Sequence, residues 1–147
     1  MNIPLAGLRI TERPSGPLEK KITQSSIQKI FTCSEFSKSR QNVLRGLHGD
    51  EKTWELLTCV FGEVYFVVVG NRSNSDSYLN WDSWILSDSN RLQVLVPPRF
   101  VNGHLVLSEI AVFHYQMIFE GKYNDIDKQF TLRWNDPMIN IDWLILV

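Results

Sequence analysis

Surplus charge is scarce in this chain: 15 basic and 16 acidic residues leave a formal net charge of −1, with neither sign clustered. No single-signed field is therefore available to hold nucleic acid or an anionic membrane, and an anionic ligand must be met by local arginines or lysines. Cysteine is also rare. Cys33 and Cys59 fall in no metal or redox spacing, and the default reading is a reducing, cytoplasmic setting. Long apolar runs are missing too. The longest, Val64 to Val69, is far too short to span a bilayer, and the amino terminus has no basic-then-apolar leader pattern, so a soluble protein is expected.

What is present is material for one core. A length of 147 residues, 44% of them hydrophobic and 12% aromatic, suits a single domain that needs no staples. Turn residues punctuate short runs of valine, isoleucine, phenylalanine, tyrosine and tryptophan, the pattern of an all-β sandwich or barrel, and no long helical period appears. Strands are expected at Ser26 to Cys33, Glu55 to Val60, Glu63 to Val69, Trp81 to Leu86, Leu92 to Val96, His104 to Leu107, Val112 to Phe119 and Arg133 to Trp134. Phe61-Gly62-Glu63 reads as a tight corner, Asn71 to Ser77 as a polar loop, and Pro97-Pro98 as a strand end, because proline lacks the ladder donor. Residues 1–25 read as an arm or leading strand and 26–143 as the core.

The segment Asn42-Val43-Leu44-Arg45-Gly46-Leu47-His48 sets a fixed cation and a base of near-neutral range three residues apart. Such residues fall on opposite faces of a regular strand and share a cavity only if the backbone bends, which Gly46 permits. A held imidazole can then remove a proton while the guanidinium steadies an oxyanion or grips a phosphate. Trp54 follows this loop and offers an aromatic face for a sugar or base. Arg99 follows the Pro-Pro corner near the expected cavity mouth, whereas Arg40, Arg72 and Arg91 read as solvated loop charges. The tryptophans other than Trp54 read as core or interface residues.

The stretch from Val94 through Pro97-Pro98-Arg99-Phe100-Val101-Asn102-Gly103-His104 to Ser108 resembles the second core motif of nucleotide-sugar 3,5-epimerases of the dTDP-4-dehydrorhamnose type, which are cupin-like jelly rolls. Further segments agree in order: Asn42 to His48, Gly62-Glu63-Val64, Tyr78 to Trp81, Trp134 to Pro137 and Ile141 to Trp143. Glu120 to Tyr123, Gln129 to Thr131 and the Arg45 to Asp50 form look closest to the branch acting on GDP-4-keto-heptoses.

The resemblance implies a mechanism in which the 4-keto group acidifies its neighbouring carbons. His48 matches the family base, Tyr115 the tyrosine acid across the ring, and Arg45 the arginine near the sugar and its phosphates. A phenol suits the acid role because it stays protonated at neutral pH. Read without the resemblance, Tyr115 is better taken as a strand aromatic packed in the core. Asn102 stands where the dehydrorhamnose enzymes carry His, and it can donate to an enolate oxygen but cannot act as a base. Glu55 stands where the family usually has a lysine, with Lys52 as the candidate substitute cation. The chain ends at Val147, before the segment in which many members place an aspartate beside the catalytic His, so Asp136 or Glu35 is expected to fill that place or turnover to be low. The family's amino-terminal Asp-x-Arg-Gly segment is not recognisable in Arg13-Pro14-Ser15-Gly16-Pro17.

Together these readings give a single cupin-type jelly roll of two packed antiparallel sheets. It is expected to be an epimerase of a nucleotide-linked 4-keto sugar and a homodimer, with no cofactor and no metal site, because the three histidines lack a convergent third ligand. His104 is expected to pack in the core and His114 to face away from Tyr115. Two alternatives stand beside this: a binding or scaffold protein on the same frame, and a 4-keto to 3-keto sugar isomerase.

Overall fold

A computed structural model describes residues 9–12, 31–122 and 128–144. Among them ten strands form: β1 (Arg9–Glu12), β2 (Cys33–Arg40), β3 (Leu44–Gly49), β4 (Trp54–Phe61), β5 (Glu63–Gly70), β6 (Trp81–Ser87), β7 (Leu92–Val96), β8 (Phe100–Val106), β9 (Ile110–Ile118) and β10 (Phe130–Thr131). They build two five-stranded antiparallel sheets, ordered β1-β7-β4-β9-β2 and β10-β3-β8-β5-β6. The expected all-β cupin-type jelly roll is the observed architecture. No helix among the described residues is long and apolar enough to cross a membrane.

The sheets pack face to face because their inward rows are apolar. Leu57 and Cys59 of β4, Val64, Phe66 and Val68 of β5, Val94 and Val96 of β7 and Phe113 of β9 form the buried seam between them. The second sheet also buries its outer face, where Leu47, Tyr65, Val67, Val69, Val101 and Leu105 pack under Ile139 and Trp143. A strand covered on both sides needs no polar alternation, which is why Val64 to Val69 reads as an unbroken apolar run. The β4–β5 corner turns at Gly62 with φ +76°, where a Cβ would lie 2.2 Å from the Ile110 carbonyl oxygen.

Three expectations fail for identifiable reasons. The strand expected at Ser26 to Cys33 lies partly outside the described residues, and strand pairing begins only at Cys33 and runs to Arg40. That stretch is polar because it is a sheet edge with mostly exposed side chains. Arg133 and Trp134 form no strand; Phe130 and Thr131 pair instead with Gly49 and His48. Trp134 sits in a turn, its carbonyl accepting the Trp143 indole N–H at 2.6 Å. Strand β8 starts at Phe100, earlier than expected, since Asn102-Gly103 is turn chemistry by composition yet lies inside a fully buried strand. The arm segment around Arg13 to Pro17 lies outside the described residues.

Candidate active site

Inward-pointing residues at one end of the seam are polar where their neighbours are apolar, and there the sheets stand apart around a cavity of about 190 Å³. Its walls carry Arg45 and His48 of β3, Asn102 and His104 of β8, Glu55 of β4, Tyr115 of β9 and Glu35 of β2. Alternation dictates the set: on β8, Phe100, Asn102, His104 and Val106 share one face, and on β9 Phe113, Tyr115 and Met117 share one.

Arg45 and His48 reach the same cavity through the irregularity that Gly46 makes possible. Arg45 pairs with His104 and His48 with Asn102, so the register shifts between them and a bulge replaces regular pleating. Gly46 has φ +115°, and a Cβ there would lie 2.5 Å from the Gly103 Cα. Leu47 turns to the opposite face and is fully buried.

His48 and Tyr115 stand on opposite sheets, hence on facing walls. The Nδ1 of His48 lies 3.3 Å from the Thr131 hydroxyl of the adjacent β10. Of the two acids expected to orient it, Glu35 lines the cavity, whereas the Asp136 carboxylate accepts the Met138 N–H at 2.9 Å in a turn. The Tyr115 hydroxyl lies 3.4 Å from Ser37 Oγ, and its ring meets Phe113 edge-on with centroids 5.0 Å apart. Burial pushes its phenol above the ordinary 10, against the pull of Ser37 and Arg45, with Glu55 and Glu35 adding to the rise. Arg45 is braced by a 2.8 Å bond from Nε to the Ser39 hydroxyl.

His104 is buried and stacked on Phe113 with centroids 4.3 Å apart. Burial, and secondarily the Arg45 charge, lowers its pKa to about 4, so it is a neutral wall of the cavity. His114 faces outward as expected, stacked on Phe36 and 2.8 Å from Ser34 Oγ. No group of three His, Cys, Asp or Glu able to hold a metal occurs among the described residues.

Lys52 does not reach this cavity: its ammonium donates to the carbonyls of Glu120 and Lys122 at 3.0 and 2.6 Å. Trp54 and Arg99 lie with Arg72 along a separate open depression. The two hollows share one segment, Pro97 and Phe100 lining the first and Pro98 and Arg99 the second. Arg99 pairs with Glu51 at 2.7 Å. Arg72 is no free loop charge, since it lies over the Phe100 ring and donates to the Pro98 carbonyl.

The feature that sequence reading missed is the partnership of Glu55. Asn102 Nδ2 donates to Glu55 Oε2 at 2.5 Å. Burial, opposed by the Asn102 bond and aided by the Asp50 charge, raises the Glu55 pKa from an ordinary 4.5 to about 7. Asp50 is itself held by bonds from the Lys52 and Thr53 amides and the Thr53 hydroxyl. The substitution of Glu for an expected lysine was visible in the sequence, but its partner 47 positions away was not.

These two shifted groups act oppositely on stability. Glu55 keeps its proton longer folded than unfolded, so its contribution is complete below about 4.5 and is lost as pH rises to about 7. His104 is held neutral, so its contribution is complete above 6.5 and is lost as pH falls towards 4. Across the shared range the two slopes oppose. Glu55→Gln should therefore expose the His104 slope, with stability rising by on the order of 2 kcal/mol between pH 4.5 and 6.5 relative to wild type. Urea unfolding at several pH values measures this, and parallel profiles for both proteins would refute it.

A family model described as dTDP-4-dehydrorhamnose 3,5-epimerase matches residues 18–147. The dTDP-4-dehydrorhamnose 3,5-epimerase of Escherichia coli is 39% identical over 116 residues, which are 77% of this chain and 61% of that protein. The corresponding protein of Methanothermobacter thermautotrophicus is 32% identical over 124 residues, 82% of this chain and 64% of the relative. The chain thus spans about three fifths of the length of the curated relatives it matches. Among solved structures, the dTDP-6-deoxy-D-glucose-3,5-epimerase of Legionella pneumophila, in complex with dTDP-4-keto-L-rhamnose, superposes with TM-score 0.83 at 29% identity, covering 99% of this chain and 82% of that one. The dTDP-4-dehydrorhamnose 3,5-epimerase of Elizabethkingia anophelis gives TM-score 0.84 at 30% identity, covering 99% and 86%.

Proposed function

The chain belongs to the dTDP-4-dehydrorhamnose 3,5-epimerase family, and on that premise we propose that it inverts C3, C5 or both of a nucleotide-linked 4-keto sugar destined for a bacterial surface polysaccharide. The observation that carries the reading is the placement of His48 and Tyr115 on facing walls of one cavity, with Arg45 between cavity and solvent. A ketone acidifies the carbons beside it. His48 takes a proton from one face of the ring, and the electrons of the broken C–H bond move into an enolate whose charge gathers on the ketone oxygen. Tyr115 returns a proton from the other face, and the centre inverts. Arg45 supplies fixed positive charge to the substrate, and Asn102, beside His48 on the neighbouring strand, positions Glu55 of the facing sheet.

Arg99 and Trp54, at the neighbouring depression, hold the nucleotide end of the substrate through phosphate pairing and ring stacking. Lys52 anchors the segment at Glu120 and Lys122 and makes no substrate contact in this scheme. The substrate is a deoxyhexose or a heptose: the relatives are named for dTDP-linked sugars, and the Arg45 to Asp50 segment resembles the form of the GDP-4-keto-heptose branch. The protein works as a cytoplasmic homodimer, its sheet-edge strand β2 carrying the 65% exposed Phe36 as a surface for a second copy.

The experiment is incubation with GDP- and dTDP-linked 4-keto sugars in deuterated water, reading label by mass and NMR. Deuterium at C3 alone gives a mono-epimerase, and at C3 and C5 a full 3,5-epimerase. Binding without label in either substrate defeats the enzymatic reading and leaves a binding protein, while a 3-keto product identifies an isomerase.

A further inference from the structure

We propose that Glu55 is the acid that serves the ketone oxygen, its carboxyl donating from Oε1 to the C4 oxygen of the substrate as the enolate forms. This rests on the epimerase reading above. Family resemblance leads one to expect a cation at this position, and an anion in its place would repel the enolate. The geometry offers another solution. Asn102 donates to Oε2, and Oε1 has no hydrogen-bond partner among the described residues. A proton carried by the carboxyl therefore resides on the oxygen that is free to meet substrate in the cavity. A neutral carboxylic acid in such a place is an oxyanion donor without net charge, a role open to acids whose surroundings keep them protonated.

The surroundings do so here. Facing Glu55 are Asp50 from the preceding loop, Glu35 from β2, Arg45 and His48 from β3, His104 from β8 and Tyr115 from β9. The other strand paired with β4, β7, opposes it with Val96, and Asp82 of β6 stands exposed across Val68 from Asn102. Burial first, and the Asp50 charge second, thus oppose ionisation against the pull of the Asn102 bond, and the pKa of about 7 leaves most molecules protonated at pH 6 and few at pH 8. Tyr115, raised above 10, does not titrate in that range.

The step balances without any co-reactant. His48 takes the carbon-bound proton, the C–H electrons form the carbon–carbon double bond, and the carbonyl π electrons move to oxygen, which accepts the Glu55 hydrogen bond or proton. Ketonisation reverses this at oxygen while Tyr115 protonates carbon. His48 then releases its proton to solvent, and Tyr115 regains one from it. Asn102 is a positioning residue in this scheme, fixing which carboxyl oxygen carries the hydrogen.

The test is the pH profile of solvent-deuterium incorporation at saturating 4-keto sugar for the wild type and for Glu55→Gln, Glu55→Ala and Glu55→Asp, each checked for folding by circular dichroism. The wild-type rate should fall tenfold per pH unit above about 7. Glu55→Gln, which keeps a donor that does not titrate, should lose that alkaline limb and stay within about tenfold of wild type at pH 6. Glu55→Ala should lose about a hundredfold there, the scale of one oxyanion donor. If the folded Gln variant is inactive at every pH, a retained alkaline limb in Glu55→Asp supports full proton transfer, and its absence overturns the assignment. An alkaline limb that survives in Glu55→Gln, or an undiminished Glu55→Ala, also overturns it while leaving the epimerase reading intact. Absence of label in the wild type at all pH values overturns both.

Discussion

Replacing His48 by Asn is expected to lower deuterium incorporation at every exchanging ring position by about 10²–10⁴-fold, the range that a single positioned general base contributes. Asparagine suits the test because its amide can still meet the Thr131 hydroxyl, 3.3 Å from Nδ1 in the native protein, while it offers no basic nitrogen. His48 is exposed within the open cavity, so its loss removes little packing, and the unfolding free energy should stay within about 0.5 kcal/mol of wild type. The measurement is the exchange rate by NMR, with urea unfolding as the control for fold. Exchange that survives in a folded variant would remove His48 from the role of base and shift attention to the other proton acceptors on the walls, Glu35 and Glu55.

Tyr115→Phe is expected to separate two events that His48→Asn abolishes together. Without the phenol no proton arrives on the far face, so inversion should fall by about 10² or more. Abstraction by His48 continues, and the imidazole can return a solvent-derived proton to the face from which it came. The variant should therefore still incorporate deuterium while retaining configuration. The ring stays against Phe113, so packing is preserved, and the Ser37 contact given up is long at 3.4 Å. Measuring label and configuration on the same recovered sugar decides the matter. Equal loss of both would mean that Tyr115 serves abstraction as well, and unchanged inversion would assign the second proton to another donor. Because burial holds the phenol above 10, the Tyr115 side chain is protonated across the neutral range, and its own ionisation should not limit the rate there.

Much of this site is legible along the chain because its parts are local. The Arg45-Gly46-Leu47-His48 spacing announces a bend, and the bulge at that point turns both polar side chains into one cavity and Leu47 into the opposite core. Period-two alternation on β9 sends Tyr115 inward and His114 outward, as the strand pattern requires. The apolar run at β5 marks a strand buried on both faces. Composition misleads where burial and hydrogen bonding come from a distant partner. The polar residues of β2 read poorly as a strand, yet they pair with β9 along their whole length. Asn102-Gly103 reads as a turn, yet β3 and β5 flank it and satisfy its backbone on both sides.

What the sequence by itself determined is therefore the all-strand class of fold, the strand faces and the inward placing of Arg45, His48 and Tyr115, since these follow from alternation and from one glycine. What only the tertiary structure decided is which of those residues meet. Glu55 joins Asn102 because β4 lies in one sheet and β8 in the other, and the packing of the two sheets sets the distance between them. Lys52 turns to the carbonyls of Glu120 and Lys122 because β4 runs beside β9, and Thr131 reaches His48 because β10 pairs with β3. Each meeting depends on register between segments far apart in the chain. A slip of one residue would reverse the faces, and no local pattern encodes that register.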